Sequence, residues 1–116
     1  MGVLKDKSYE FALETVRLSQ YLVSDKKEFV LSKQLLRSGT AIGALIREAE
    51  FAQSKKDFIH KMSISLKEAN ETLYWLDILK DTKYMEEKRY KLLYTTCKEL
   101  VAMLVSTIKT AKKSIS

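Results

Sequence analysis

Few side chains in this chain have the means to do chemistry. Glu48, Glu68 and Glu71 are carboxylates that facing helices could bring together, Cys97 is the single thiol and His60 the single imidazole. Carboxylates on facing helices can hold two metal ions, but such a centre takes a Glu-x-x-His pair from each of two helices, and here Glu68 is followed three residues later by Glu71. Carboxylates working as acid and base would need a concave pocket, which no glycine-rich segment supplies. Cys97 has no partner for a disulfide or a zinc site and falls on an apolar helical stripe, so it reads as a small core residue. No phosphate-binding loop, nucleophile elbow or dinucleotide fingerprint is present. The remaining chemistry is electrostatic: Lys55 and Lys56, then Lys109, Lys112 and Lys113, are clusters able to contact phosphates. The expectation is a non-enzymatic protein without catalytic residues, cofactor, metal or small-molecule substrate.

The elements that carry these residues read as helical throughout. A chain of 116 residues with no proline, three glycines and 46% hydrophobic residues suits a single all-α domain over residues 1–116. A chain of this length buries about two-thirds of its unfolded surface. The formal charge of +6 is a modest pull toward anionic partners and ordinary for solubility. The opening MGVLKDKSYE lacks the apolar run of a signal peptide, and no apolar run approaches the roughly 20 residues that span a bilayer. A soluble cytoplasmic protein is expected.

The organising stretch is Ser54 to Lys80. Ser54 with Asp57 three residues on makes a capping-box-like start, with an acid near the positive end of the helix dipole. Phe58, Ile59, Met62, Leu66, Ala69, Leu73 and Leu76 then fall on one stripe, while Ile64, Trp75, Ile78 and Leu79 fall roughly opposite. A single partner layer cannot cover both. The helix before it, about 26–52, opens on a second capping signal, Asp25 and Glu28, and carries Leu31, Leu35, Ile42, Ile46 and Ala49 on its core stripe. Gly39 and Gly43 lie at that stripe's edge, where small residues admit another backbone. Arg37 and Glu48 share a different side with Ala41, Ala44 and Ala52. Three readings satisfy those two charges: pairing with a neighbouring helix at Glu68 or Glu71, a ligand site, or exposure to water.

The first helix, about 8–23, also has two apolar sides, and the last, about 86–113, has the cleanest stripe, from Leu93 through Cys97, Leu100 and Leu104 to Ala111. With the third at about 55–80, short connections make an up-down-up-down antiparallel four-helix bundle the default. In that arrangement one end gathers residues 1–10, 47–61 and 106–116, where nine Lys/Arg face five Asp/Glu; the other end, 24–33 and 77–91, has eight against six. The excess sits with Lys55, Lys56, Lys109, Lys112 and Lys113. No exposed aromatic platform is named by the spacing.

The middle of the chain resembles the 23S rRNA intervening-sequence proteins. In that family a helix with a basic-Ser pair, Ile and Glu precedes a polar turn, a Ser-x-x-acid-Phe start and a Ser-x-x-Glu helix; here these positions are Arg37, Ser38, Ile42, Ile46 and Glu48, then Ser54 and Phe58, then Ser65, Glu68, Leu73 and Leu76. Ala41 and Leu45 stand where the family commonly has Ser and Asn. The resemblance implies a four-helix bundle that assembles into a homopentamer, and it suggests RNA or a ribonucleoprotein as partner. The doubled apolar faces are what a subunit interface requires, which makes Arg37, Glu48, Ile64, Glu68, Glu71, Trp75 and Ile78 candidates for an interface or polar network. The two functional expectations are an oligomeric bundle that binds RNA through its basic end, and a structural or protein-interaction module without nucleic-acid binding.

Overall fold

The periodic segments close into four antiparallel α-helices in a computed structural model that describes residues 2–115. They are α1 (Gly2–Ser24), α2 (Leu31–Glu50), α3 (Lys55–Asp81) and α4 (Glu87–Lys113), with no strand among the described residues. Packing follows chain order: α1 on α2, α2 on α3, α3 on α4, with a lighter α4–α1 contact closing the ring. The rod measures 49 × 21 × 20 Å, close to the roughly 40 Å that the 27 residues of α3 span at 1.5 Å each.

The core is a column of Leu18, Leu22, Leu35, Ile42, Ile46, Met62, Leu76, Leu79, Leu100 and Leu104, all without solvent exposure or nearly so. Each such side chain contributes about 1.5–3 kcal/mol by leaving water. Leu79 therefore belongs to the core and not to the opposite face, where spacing alone puts it. The α4 stripe is as expected, with Leu93, Cys97, Leu100, Leu104, Ile108 and Ala111 buried.

Two starts differ from the sequence reading. α1 begins at Gly2 because Leu4 and Ser8 extend its buried stripe by two turns toward the N-terminus. α2 begins at Leu31, and Asp25 and Glu28 form no capping box. Lys27 turns the chain with φ 56°, after which the Glu28 carboxylate accepts from the Ser32 N–H at 2.8 Å, capping α2 from outside its first turn. The start of α3 is as expected: Ser54 Oγ accepts from the Asp57 N–H at 3.1 Å, and the Asp57 carboxylate accepts from the Gln53 N–H at 3.2 Å. α3 ends in a Schellman turn, with Lys83 at φ 64° and the Tyr84 N–H bonded to the Leu79 carbonyl.

Both glycines of α2 mark close approaches to α1. A Cβ on Gly39 would lie 2.5 Å from Thr15 Cγ2, and one on Gly43 would lie 3.3 Å from the Ser8 carbonyl oxygen. Alanine is the better helix former by up to about 1 kcal/mol, but overpacking of this kind costs about 1–3 kcal/mol. Gly39→Ala is therefore expected to destabilise in urea unfolding, and to cost markedly less in a Thr15→Ala background; equal costs in both would show that the contact does not limit packing.

Candidate functional site

Buried hydroxyls set the scaffold between α2 and α3. Ser65 Oγ donates to the Ile42 carbonyl across the seam at 2.9 Å, and the Thr72 and Ser38 hydroxyls lie 2.9 Å apart. Ser38, Ser65 and Thr72 are wholly buried, and a hydroxyl in that position without a partner costs about 1–3 kcal/mol. The register these bonds impose brings Arg37 on α2 beside Glu68 and Glu71 on α3: one guanidinium nitrogen bonds Glu68 at 3.1 Å and the other bonds Glu71. Burial works to lower the Arg37 pKa, and the two carboxylates outweigh it, so it is raised. At 50% side-chain exposure the cluster is screened by water and adds little stability; what it contributes is orientation.

Glu48 has its own partner, the Lys61 ammonium at 2.8 Å, whose hydrogen bond and charge raise the Lys61 pKa. Arg37 and Glu48 thus pair across the α2–α3 seam at the bundle surface. Ile64, Glu68, Glu71, Trp75 and Ile78 run along the same edge of α3, all half-buried. The Trp75 Nε1–H is buried there without an acceptor among the described residues.

The lysines converge as their helices require. The first turn of α3 and the last turn of α4 meet at one end, where Lys55, Phe58, Ser106, Thr110 and Ser114 line an open groove of about 370 Å³. Lys55, Lys56, Lys109, Lys112 and Lys113 are exposed. Lys55, Lys56, Lys109 and Lys112 have no carboxylate partner among the described residues, as holds for most of the lysines and arginines; at the same end Lys5, Lys7 and Lys61 are paired. Lys112 and Lys113 complement the negative end of the α4 dipole, but Lys55 and Lys56 stand at the positive end of α3, where a cation is unfavourable by a few tenths of a kcal/mol or more. Helix stability does not explain that placement. At the opposite end a recess of about 530 Å³ mixes Lys26, Lys80 and Lys83 with Asp81, Glu86 and Glu87, so its charges largely cancel.

Sequence reasoning missed the aromatic groups at the lysine end. Phe51 is 84% exposed, the most exposed of the large apolar side chains, and Tyr9 lies half-exposed beneath the Arg47 guanidinium, 5.4 Å from ring centre to carbon. The sequence offered no signal, since the helix was expected to run to about residue 52; in the structure α2 ends at Glu50 and leaves Phe51 between it and the Ser54 cap.

Cys97 is in the core, its Sγ 3.4 Å from the Ala69 carbonyl, and burial pushes the thiol up to about 12. Among the described residues no three His, Cys, Asp or Glu side chains gather as a metal site would require.

Fold and site together define a class: an antiparallel all-α bundle with a charge-neutral waist and a lysine-bearing end. The chain belongs to the 23S rRNA-intervening sequence protein family, whose model matches residues 3–106. It is similar to the crystal structure, at 1.70 Å, of a protein with unknown function from the S23 ribosomal protein family of Bacteroides thetaiotaomicron VPI-5482: 55% identity, TM-score 0.92, covering 93% of this chain and 96% of that one. No curated protein matches. No helix among the described residues is long and apolar enough to cross a membrane.

The Cys97 environment makes a prediction about pH. The unfolded thiol titrates near about 8.5 and the folded one near 12. Its stabilising effect is therefore complete below the unfolded value and lost as pH rises toward the folded one. Native protein should resist thiol reagents, and Cys97→Ala should flatten part of the alkaline fall in urea stability; an unchanged slope would refute the assignment.

Proposed function

We propose that this protein is a non-enzymatic, self-assembling helical bundle that binds RNA or a ribonucleoprotein through its lysine-bearing end. The observation that carries the reading is the placement of Lys55 and Lys56, exposed, against the α3 dipole and beside the Lys109–Lys113 turn of α4. Cations kept where they do not help the helix suit phosphate contact, and the family's description, which names an rRNA insertion, agrees with that. A ring of copies would repeat the basic end with each subunit.

Binding of this kind is sequence-tolerant and salt-sensitive, with log affinity falling linearly in log salt by about 0.7 for each phosphate neutralised on a single strand. Fluorescence anisotropy with a labelled RNA over a salt series should show that dependence, and Lys109→Glu/Lys112→Glu/Lys113→Glu should weaken binding. Absence of binding at low salt, or indifference to the three changes, would reject the reading.

A second reading, a protein-interaction module without RNA, is favoured by the α3 edge. Ile64, Trp75 and Ile78 are only half covered, and Tyr74 beside them is exposed. Both readings include self-assembly through this edge. Light scattering at micromolar concentration should give a multiple of the 13.4 kDa chain mass, with Ile78→Glu shifting it toward monomer; a monomeric wild type would refute assembly.

A further inference from the structure

We propose that Phe51 is a base-stacking platform, so that the lysine-bearing end selects single-stranded over duplex nucleic acid. The inference rests on the reading of that end as an RNA site and adds to it a preference that lysines alone do not confer.

Phe51 is 84% exposed, and its backbone, not its ring, serves the fold: the N–H closes α2 on the Glu48 carbonyl at 3.1 Å. The ring forms one wall of an open recess of about 790 Å³, with Arg47, Gln53, Ser54, Asp57 and Lys61 among the others. The acids at this recess are already engaged, Glu48 by Lys61 and Asp57 by the Gln53 N–H. What remains is an aromatic face, the planar Arg47 guanidinium on Tyr9, and the Gln53 side-chain amide, which makes no hydrogen bond among the described residues. An uncharged, flat, polar-edged group fits such a place, and a nucleobase has that character. Phosphates on either side of the base would meet Lys55 and Lys56, four and five residues further along the chain and exposed.

Charge and stacking do different work here. Lysines hold any sugar–phosphate backbone, single or double, while an aromatic ring gains only from a base free of its own stack. A duplex keeps its bases stacked and has nothing to offer the ring.

The test is anisotropy with a labelled single-stranded RNA and the matching duplex, on wild type and on Phe51→Ala, Phe51→Leu and Phe51→Trp. Because Phe51 is exposed, all three should retain the wild-type thermal melt. Single-strand affinity is expected to fall roughly five- to hundredfold in the alanine and leucine variants and to persist with tryptophan. Duplex affinity and the salt slope should not move. Unchanged single-strand binding by Phe51→Ala, or an equal loss on the duplex, overturns the stacking role. If the lysine variants still abolish binding, the basic-end reading survives that result; if wild type binds neither RNA, both fall. A changed solution mass for Phe51→Ala would assign the ring to a contact between copies instead and would also overturn the proposal.

Discussion

A buried hydroxyl without an acceptor is costly, and the bond that Ser65 makes across the seam ties α2 and α3 to one register. Ser65 reaches the Ile42 carbonyl, and Thr72 meets Ser38 two turns further on. Each bond adds only about 1 kcal/mol net, but sliding the helices by one residue would strip Ser65 of its acceptor and part Thr72 from Ser38, leaving those two to the Glu68 and Leu35 carbonyls of their own helices. From that register follow the Arg37 bonds to Glu68 and Glu71 and the Glu48 bond to Lys61, surface pairs too exposed to hold the helices together themselves.

The same economy governs α1. Thr15 and Ser8 turn their hydroxyls back onto the Phe11 and Lys5 carbonyls, each at 2.9 Å, so small polar side chains can sit inside the bundle without a partner from another helix. Gly39 and Gly43 on α2 leave room for them. Close helix approach is thus built from glycine and hydroxyl residues, with the large aliphatic side chains filling the central column.

The two ends of the rod are chemically different because their connections are. At the α1–α2 and α3–α4 turns, lysines alternate with acids and with backbone-turning positions, Lys27 and Lys83. At the other end three of the five acids are engaged, Asp57 in the cap of α3, Glu48 with Lys61 and Glu50 with Lys5, while the α3 and α4 lysines face solvent. An excess that is modest by composition becomes a directed one where the first turn of α3 meets the last turn of α4.

Local spacing and capping chemistry in the sequence determined four helices, their antiparallel order, the α4 stripe, the Ser54 cap and the end of the bundle at which the lysines gather. They did not determine where α2 begins, because Glu28 acts from outside the helix once Lys27 turns the chain. Nor did they assign Leu79 to the core, or find Ser38, Ser65 and Thr72 there, because hydropathy counts a hydroxyl as polar whether or not a carbonyl waits for it. Arg37 and Glu48 were open among pairing, ligand binding and exposure; the α2–α3 register made them partners of α3 charges at the surface. Phe51 was invisible for the converse reason. A phenylalanine is apolar in any sequence, and only the path of the chain, which leaves nothing packed over the end of α2, decided that its ring would face water.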